Sequence, residues 1–457
     1  MRWRLAALAV AVAVVAAVGG FYVVTHTSST RGAGPRATSS PGRSASSAPR
    51  IADALGALSA NAPLPTRAGI SRALRRAAAA PELGGGLSGL VVDAATGTPL
   101  FVRRPDVSEP PASTTKLLTA VAALQTLGPD TRLRTDVVRA GHTLYLVGGG
   151  DVTLAASSRP GYPTPATLTD LAARTASAVA GTRFVLRYDA SLWQGPSQAS
   201  GWQSGYVREG DVAPVSALEV DEGRLTGFTS IHPQPRASDP AAAAAALFAK
   251  ALTAAGVRVG GTPRPAAAPH SAPIATVESP PVSALVQRML TDSDNDLAEA
   301  LARTVAVHVG APHTFTGAAQ AIVTALREDA LPVAQLKLYD GSGLSRLDRA
   351  SARLLVALLR LVTTRPDLRP INEGLPVAGF TGTLGERYRQ RTSRPGAGVV
   401  RAKTGTLAGV NTLAGTVVDA DGRLLVFAFL TDRAADPEST EDALDRVAAG
   451  LATCGCR

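Results

Sequence analysis

The sequence predicts an α+β fold: an antiparallel sheet flanked by helices, an all-helical region beside it, and an inserted α/β domain. Three observations carry that prediction. Hairpin signals lie near opposite ends of the structured part, at Thr96-Gly97 and at Asp421-Gly422. A lone two-stranded hairpin is marginal in water, so each needs a partner sheet, and the economical solution joins the two in one sheet. The chain between them holds apolar helical runs after residue 281, whereas residues 131–280 mix strand and helix patterns.

The elements follow in order. "TRAGISRALRRAAAA" predicts a first helix, and "LSGLVVDAATGTPLFVRR" two strands turning at Thr96-Gly97. "PPASTTKLLTA" opens an apolar helix at residues 110–120. In the insertion, "LRTDVVRA", "TLYLVGG" and "RFVLRYD" read as strands; "ATLTDLAARTASAVA" and "AAAAAALFAKALTAAG" read as helices. "PPVSALVQRMLTDSDNDLAEALARTVAVHVG" gives two helices broken near Asp292 to Asp294, and "ASARLLVALLRLV" another. "GVVRAKTGT" and "NTLAGTVVDADGRLLVFAFLTD" supply three strands, and "TEDALDRVAAGLA" a closing helix. The body is expected at 65–130 and 281–457, with the inserted domain at 131–280.

The N-terminus sets the expected compartment. An apolar and glycine run from Leu5 to Val24 matches the ~20 residues that span a bilayer core. Arg2 and Arg4 precede it, which places the remainder outside the cytoplasm. A membrane anchor is expected at 1–24, with a cleaved signal peptide as the alternative. Residues 25–64 are rich in Ser, Thr, Pro, Gly and Arg and read as a disordered linker.

Composition excludes several classes. The net charge is +10, but no basic helix or aromatic-interleaved basic patch points to nucleic acid. The charge suits a surface facing an anionic envelope. Cys454 and Cys456, at the extreme end, provide neither a disulfide framework nor a four-ligand zinc site, and read as a loose tail with two thiols or a surface bridge. No H-E-x-x-H occurs, and "VGGGD" lacks the Lys-Ser/Thr of a phosphate loop. No metal or cofactor is expected.

Lysine is scarce, at positions 116, 250, 337 and 403 only. Unlike a guanidinium, an ammonium group can lose its proton when buried. Ser113 and Lys116 stand three apart at a helix start, so hydroxyl and amine share a face. That is nucleophile-plus-base spacing, with lysine in place of histidine. Ser293 and Asn295 flank a helix break, offering a hydroxyl to relay a proton and an amide to hold a carbonyl; the plainer alternative is a helix cap. Lys403 sits in a strand beside Thr404, Gly405 and Thr406. The glycine admits a ligand backbone, and the amine and hydroxyls suit a carboxylate; a polar edge strand with a glycine bulge is the alternative.

Taken in order, Ser-x-x-Lys after a hairpin, Ser-x-Asn among helices and Lys-Thr-Gly on a strand form the motif set of penicillin-binding proteins and class A β-lactamases. The chain resembles the low-molecular-mass class C penicillin-binding proteins, the D-alanyl-D-alanine carboxypeptidase/endopeptidase family. "DGSGLSR", "GGGDVTL" and "DASLWQGP" resemble further family segments, and the likeness spans about residues 65 to 450. The insertion between the first two motifs is shorter than the family's usual one. The resemblance implies a β-lactamase/DD-peptidase-like transpeptidase fold and serine acyl transfer on peptidoglycan stem peptides, with β-lactams as covalent inhibitors. It implies Ser113 as nucleophile and neutral Lys116 as base, with burial and the Lys403 charge lowering its pKa. Ser293 then relays the proton and Asn295 holds the substrate amide. Lys403, Thr404 and Thr406 bind the terminal carboxylate, and the backbone N–H groups of Ser113 and Thr406 form the oxyanion hole. Ser342, Leu344, Arg346 and Leu407 shape the side-chain pocket, and Asp189 binds a stem-peptide amino group. A β-lactamase or esterase of the same fold and an inactive wall-binding protein are the competing readings.

Overall fold

A computed structural model describes residues 62–455 apart from 85, 180–182, 229–232 and 435. The expected anchor and nearly all of the expected linker lie outside the described residues.

Helix α1 (Arg67–Leu74) starts where the Thr66 hydroxyl accepts the Gly69 N–H at 3.0 Å. Strands β1 (Ser88–Asp93) and β2 (Pro99–Arg103) form the first hairpin, and Gly97 takes the positive φ of 73° that its turn requires. A two-residue strand β3 (Ser108–Glu109) leads through a 3₁₀ turn into helix α2 (Thr115–Leu127). From Leu117 to Leu124 every α2 side chain is buried, which explains a run with no polar face.

The insertion follows: β4 (Arg134–Ala140), β5 (Thr143–Gly148), α3 (Leu168–Ala178), β6 (Arg183–Asp189), the short α4 (Tyr206–Glu209), α5 (Pro240–Ala254), β7 (Arg258–Pro265) and β8 (Ala275–Glu278). Its sheet runs β7-β6-β5-β4-β8. The β5–β6 and β6–β7 pairs are parallel because α3 and α5 carry the chain back between them. Strands β7 and β8 escape the sequence reading: β7 is the Pro/Gly-bearing edge "RVGGTPRP" and β8 is only four residues.

The chain then forms α6 (Val282–Asp292), α7 (Asn295–His308), α8 (Phe315–Glu328), β9 (Ala350–Ser351, paired with β3), α9 (Ala352–Thr364) and α10 (Arg369–Gly374). It closes with β10 (Val400–Leu407), β11 (Val410–Val418), β12 (Leu424–Asp432) and α11 (Pro437–Ala452). The body sheet is antiparallel in the order β10-β11-β12-β1-β2, so the first hairpin lies beside the last strand, with Val91 opposite Phe427. Alternate residues serve two cores. Val426, Ala428 and Leu430 face α2 and the helical region; Leu425, Phe427 and Phe429 face α1 and α11. Of the two expectations for the tail, a bonded cysteine rather than a free thiol holds at Cys454, which is buried against the α11 side and not at the surface.

Candidate active site

The end of β10, the start of α2 and the α6–α7 break converge. Ser113 lies in the 3₁₀ turn before α2, and Ala112 beside it has φ 47°. Gly343 packs so tightly there that a Cβ on it would stand 1.9 Å from the Ala112 carbonyl. Lys116 is fully buried one turn on. Its Nζ lies 2.9 Å from Ser113 Oγ and donates to Asn295 Oδ1 and to the Ser342 carbonyl, each at 2.7 Å.

Ser293 caps α6 in the left-handed region, φ 58°, and Asn295 begins α7. The Asp294 carboxylate accepts the Leu297 N–H at 2.9 Å, capping α7. Asn295 Nδ2 donates to the Asp211 carbonyl at 2.9 Å, which aims Oδ1 at Lys116. Lys403, fully buried on β10, donates to Ser293 Oγ and to the Thr404 carbonyl, both at 2.8 Å. Thr404 Oγ1 pairs with Thr383 Oγ1 at 2.8 Å. Beyond Ala402, whose N–H donates to the Pro376 carbonyl, β10 is the outer strand of its sheet. A Cβ on Gly405 would come within 2.9 Å of Ser113 N and of the Pro111 carbonyl, so the strand and the Ser113 turn meet without a side chain between them.

Ser113, Lys116 and Asn295 thus form one hydrogen-bonded set, and Ser293, Lys403 and Thr404 another. The remaining expected residues fall as follows. Ser342 is buried and contributes its carbonyl to Lys116. Leu344 packs with Tyr206 and Val212, and Leu407 and Trp202 pack against that cluster. Arg346 donates to the Ala408 carbonyl at 2.7 Å. The Thr406 hydroxyl is exposed and donates to Glu441 at 2.7 Å. Asp189 ends β6, and its two oxygens accept the N–H groups of Ser191 at 2.9 Å and Ala268 at 2.7 Å; neither bond reaches the lysines.

Two acidic residues hold the "DGSGLSR" loop: Asp340, which opens that segment, and Glu299, which the sequence reading did not single out. Asp340 accepts the N–H groups of Gly343 and Ser345 and the Trp202 indole N–H, at 2.8, 2.7 and 2.7 Å. Buried Glu299 accepts the N–H groups of Gly341 and Ser342. Asp340 was marked only as part of that segment, and nothing local marks Glu299, which lies in an apolar helix.

Burial lowers Lys116 to about 8, against the carboxylates of Asp340 and Glu299, which pull it upward. Burial also puts Lys403 well below the ordinary lysine value, and the charge of Lys116 pushes it further. Of the two expected causes of the Lys116 shift, burial acts in the empty site; the Lys403 charge does not act there, because Lys403 is itself held down. The carboxylates lie toward Lys116, so in the empty site the influence runs the other way.

The sequence profile of the D-Ala-D-Ala carboxypeptidase 3 (S13) family matches residues 70–235 and 227–451. The chain is 38% identical to carboxypeptidase DacB of Mycolicibacterium smegmatis, over all of this chain and 99% of that one. It is 39% identical to carboxypeptidase Rv3627c of Mycobacterium tuberculosis, over 86% of this chain and 85% of that one. Among solved structures, penicillin binding protein 4 of Haemophilus influenzae shares the fold: TM-score 0.69 at 19% identity, covering 84% of this chain and 98% of that one. By this match over most of its length, the chain belongs to the D-Ala-D-Ala carboxypeptidase 3 (S13) family.

Proposed function

We propose that this family member removes the terminal D-alanine from peptidoglycan stem peptides through an acyl-enzyme on Ser113. The surroundings of the Lys116 amine carry the reading. Two of its three neighbours, the Asn295 amide oxygen and the Ser342 carbonyl, only accept. A neutral amine gives its two N–H groups to these and leaves its lone pair for the Ser113 hydroxyl, the arrangement a general base needs.

Lys403 has Ser293 Oγ and the Thr404 carbonyl as acceptors, and in its charged form keeps a third N–H for a substrate carboxylate. That carboxylate supplies the anion the empty site lacks beside Lys403. It favours the charged form there, and the new charge favours the neutral form of Lys116. The substrate backbone runs along the outer edge of β10. Ser113 attacks the penultimate D-alanine carbonyl, and the N–H groups of Ser113 and Thr406 receive the oxyanion. Lys116 returns the proton through Ser293 to the leaving amine, and water releases the acyl group. Leu344, Leu407 and Arg346 border the stem-peptide side chain, with Asp189 as a more distant partner for its amino group. β-Lactams acylate the same hydroxyl. Cleavage of cross-links follows the same steps whenever the peptide beyond the scissile bond fits.

Labelled penicillin and a D-alanyl-D-alanine pentapeptide test this. Ser113→Ala should lose both labelling and D-alanine release while the circular dichroism spectrum is kept; retained release in that variant removes the nucleophile. A cross-linked dimer in the same assay reads the endopeptidase activity. Because Lys116 must be neutral and its pKa is about 8, kcat/KM should fall as pH drops below that value. A profile flat from pH 6 to 9 contradicts the assigned base.

The body acts outside the cytoplasm, tethered by residues 5–24; this rests on the sequence pattern. Among the described residues no helix is long and apolar enough to cross a membrane. Deleting residues 5–24 should move the protein from the membrane fraction to the soluble one, and unchanged fractionation would refute the tether.

A further inference from the structure

The insertion sends one buried carboxylate toward the Ser293 break. Asp221, Glu222 and Gly223 are all left-handed, with φ 52°, 56° and 68°. Such a run costs conformational energy at its non-glycine members and persists only where the surroundings enforce it. Its product is a fully buried Glu222 side chain gripped by two guanidiniums, Arg224 on one oxygen and Arg288 on the other. Arg288 belongs to α6. Its Nη2 also bonds Asp294 at 3.0 Å, and its Nε lies 3.7 Å from Asp292, so it spans both sides of Ser293.

A second strut is parallel to the first. Arg236 donates to the Glu222 carbonyl and pairs with Asp296 at 3.0 Å, while the Ala213 N–H donates to Asp296 at 2.7 Å. Phe228 is the wedge. The guanidinium carbons of Arg159, Arg224 and Arg288 lie 4.3, 4.5 and 4.8 Å from its ring centre.

We propose that Glu222 is a positioning residue for acyl transfer, holding Arg288 so that the left-handed Ser293 keeps its hydroxyl on Lys403 and Asn295 keeps its amide on Lys116. Without the Glu222 charge, Arg288 has only the two aspartates of the break itself to answer. The break is then free to turn with it. The backbone of β10 and the Thr404 and Thr406 hydroxyls of the substrate carboxylate site belong to the body sheet, and this strut reaches that site only through the Ser293 bond to Lys403. The loss therefore falls on kcat and on the acylation rate, and leaves KM in place. A misplacement of reacting groups by about 1 Å costs on the order of 10²-fold.

The inference rests on Ser293 and Asn295 acting in acyl transfer; wild-type labelling that is lost in Ser113→Ala checks that reading separately. In the full chain, Glu222→Gln is compared with Arg159→Ala, which touches Asp221 and Phe228 but not the Ser293 break. Rates are divided by active sites counted from complete penicillin labelling, so loss of folded protein does not enter them. Glu222→Gln should acylate about 10- to 100-fold more slowly per site, with pentapeptide KM within about twofold of wild type. Arg159→Ala should lower the melting temperature and keep the rate per site. A wild-type rate per site in Glu222→Gln overturns the proposal, as does an equal loss in Arg159→Ala. If Glu222→Gln yields no folded protein, Arg288→Lys keeps a charge that cannot bridge Glu222 and Asp294 together. It should show the same kcat loss at unchanged KM, and a wild-type rate there also overturns the proposal.

Discussion

In the body sheet, β1 buries every residue, and β11 and β12 bury all but their ends; in the insertion, β5 and β6 alternate buried with half-exposed or exposed positions. The reason is cover. Helices lie on both faces of the body sheet, whereas α3 and α5 supply the apolar core on one face of the insertion's sheet. The difference bears on where the two buried amines sit. Burial disfavours the charge on an amine, and the cover over α2 and β10 excludes water from both Lys116 and Lys403. The singly covered sheet offers no equivalent, and its contribution reaches the site through loops, at Asp211 and Glu222.

Substitutions can break that contrast. The largest stability effect is expected at Phe427, fully buried on β12 and stacked on Phe429 at 5.3 Å. Phe427→Ala should cost about 3–5 kcal/mol in urea unfolding. A cost below about 1 kcal/mol would mean that the face toward α1 and α11 is loosely packed. The smallest is expected at Val185 on β6, which is 41% exposed. Val185→Thr should change stability by less than about 0.5 kcal/mol. A loss several times larger would show that this face is covered in solution by a surface the isolated chain lacks.

The sequence made local features legible and hid those set by distant partners. Both hairpins declared themselves through Gly97 and Gly422, whose positive φ values few other residues tolerate. The break between α6 and α7 was visible because Ser, Asp and Asn compete with helix. Ser113, Lys116 and Lys403 stood out because lysine is rare and each lay in an apolar run. Strand β7 was hidden by its prolines and glycines, being an edge strand that needs few side-chain contacts. Glu222, Arg288 and Glu299 look like ordinary charges in the sequence. Their roles arise from pairings across long stretches of chain, such as Arg288 with Glu222, which no periodicity encodes. The carboxylates that pull Lys116 upward were hidden for the same reason: they come from α7 and from the loop at residue 340.

The contact at Gly405 leaves β10 no room for a side chain beside the Ser113 turn. The gap between strand and turn is narrower than a methyl group, so added bulk there pushes the two apart. No substitution at this position can therefore be neutral: the strand, the turn or both must move.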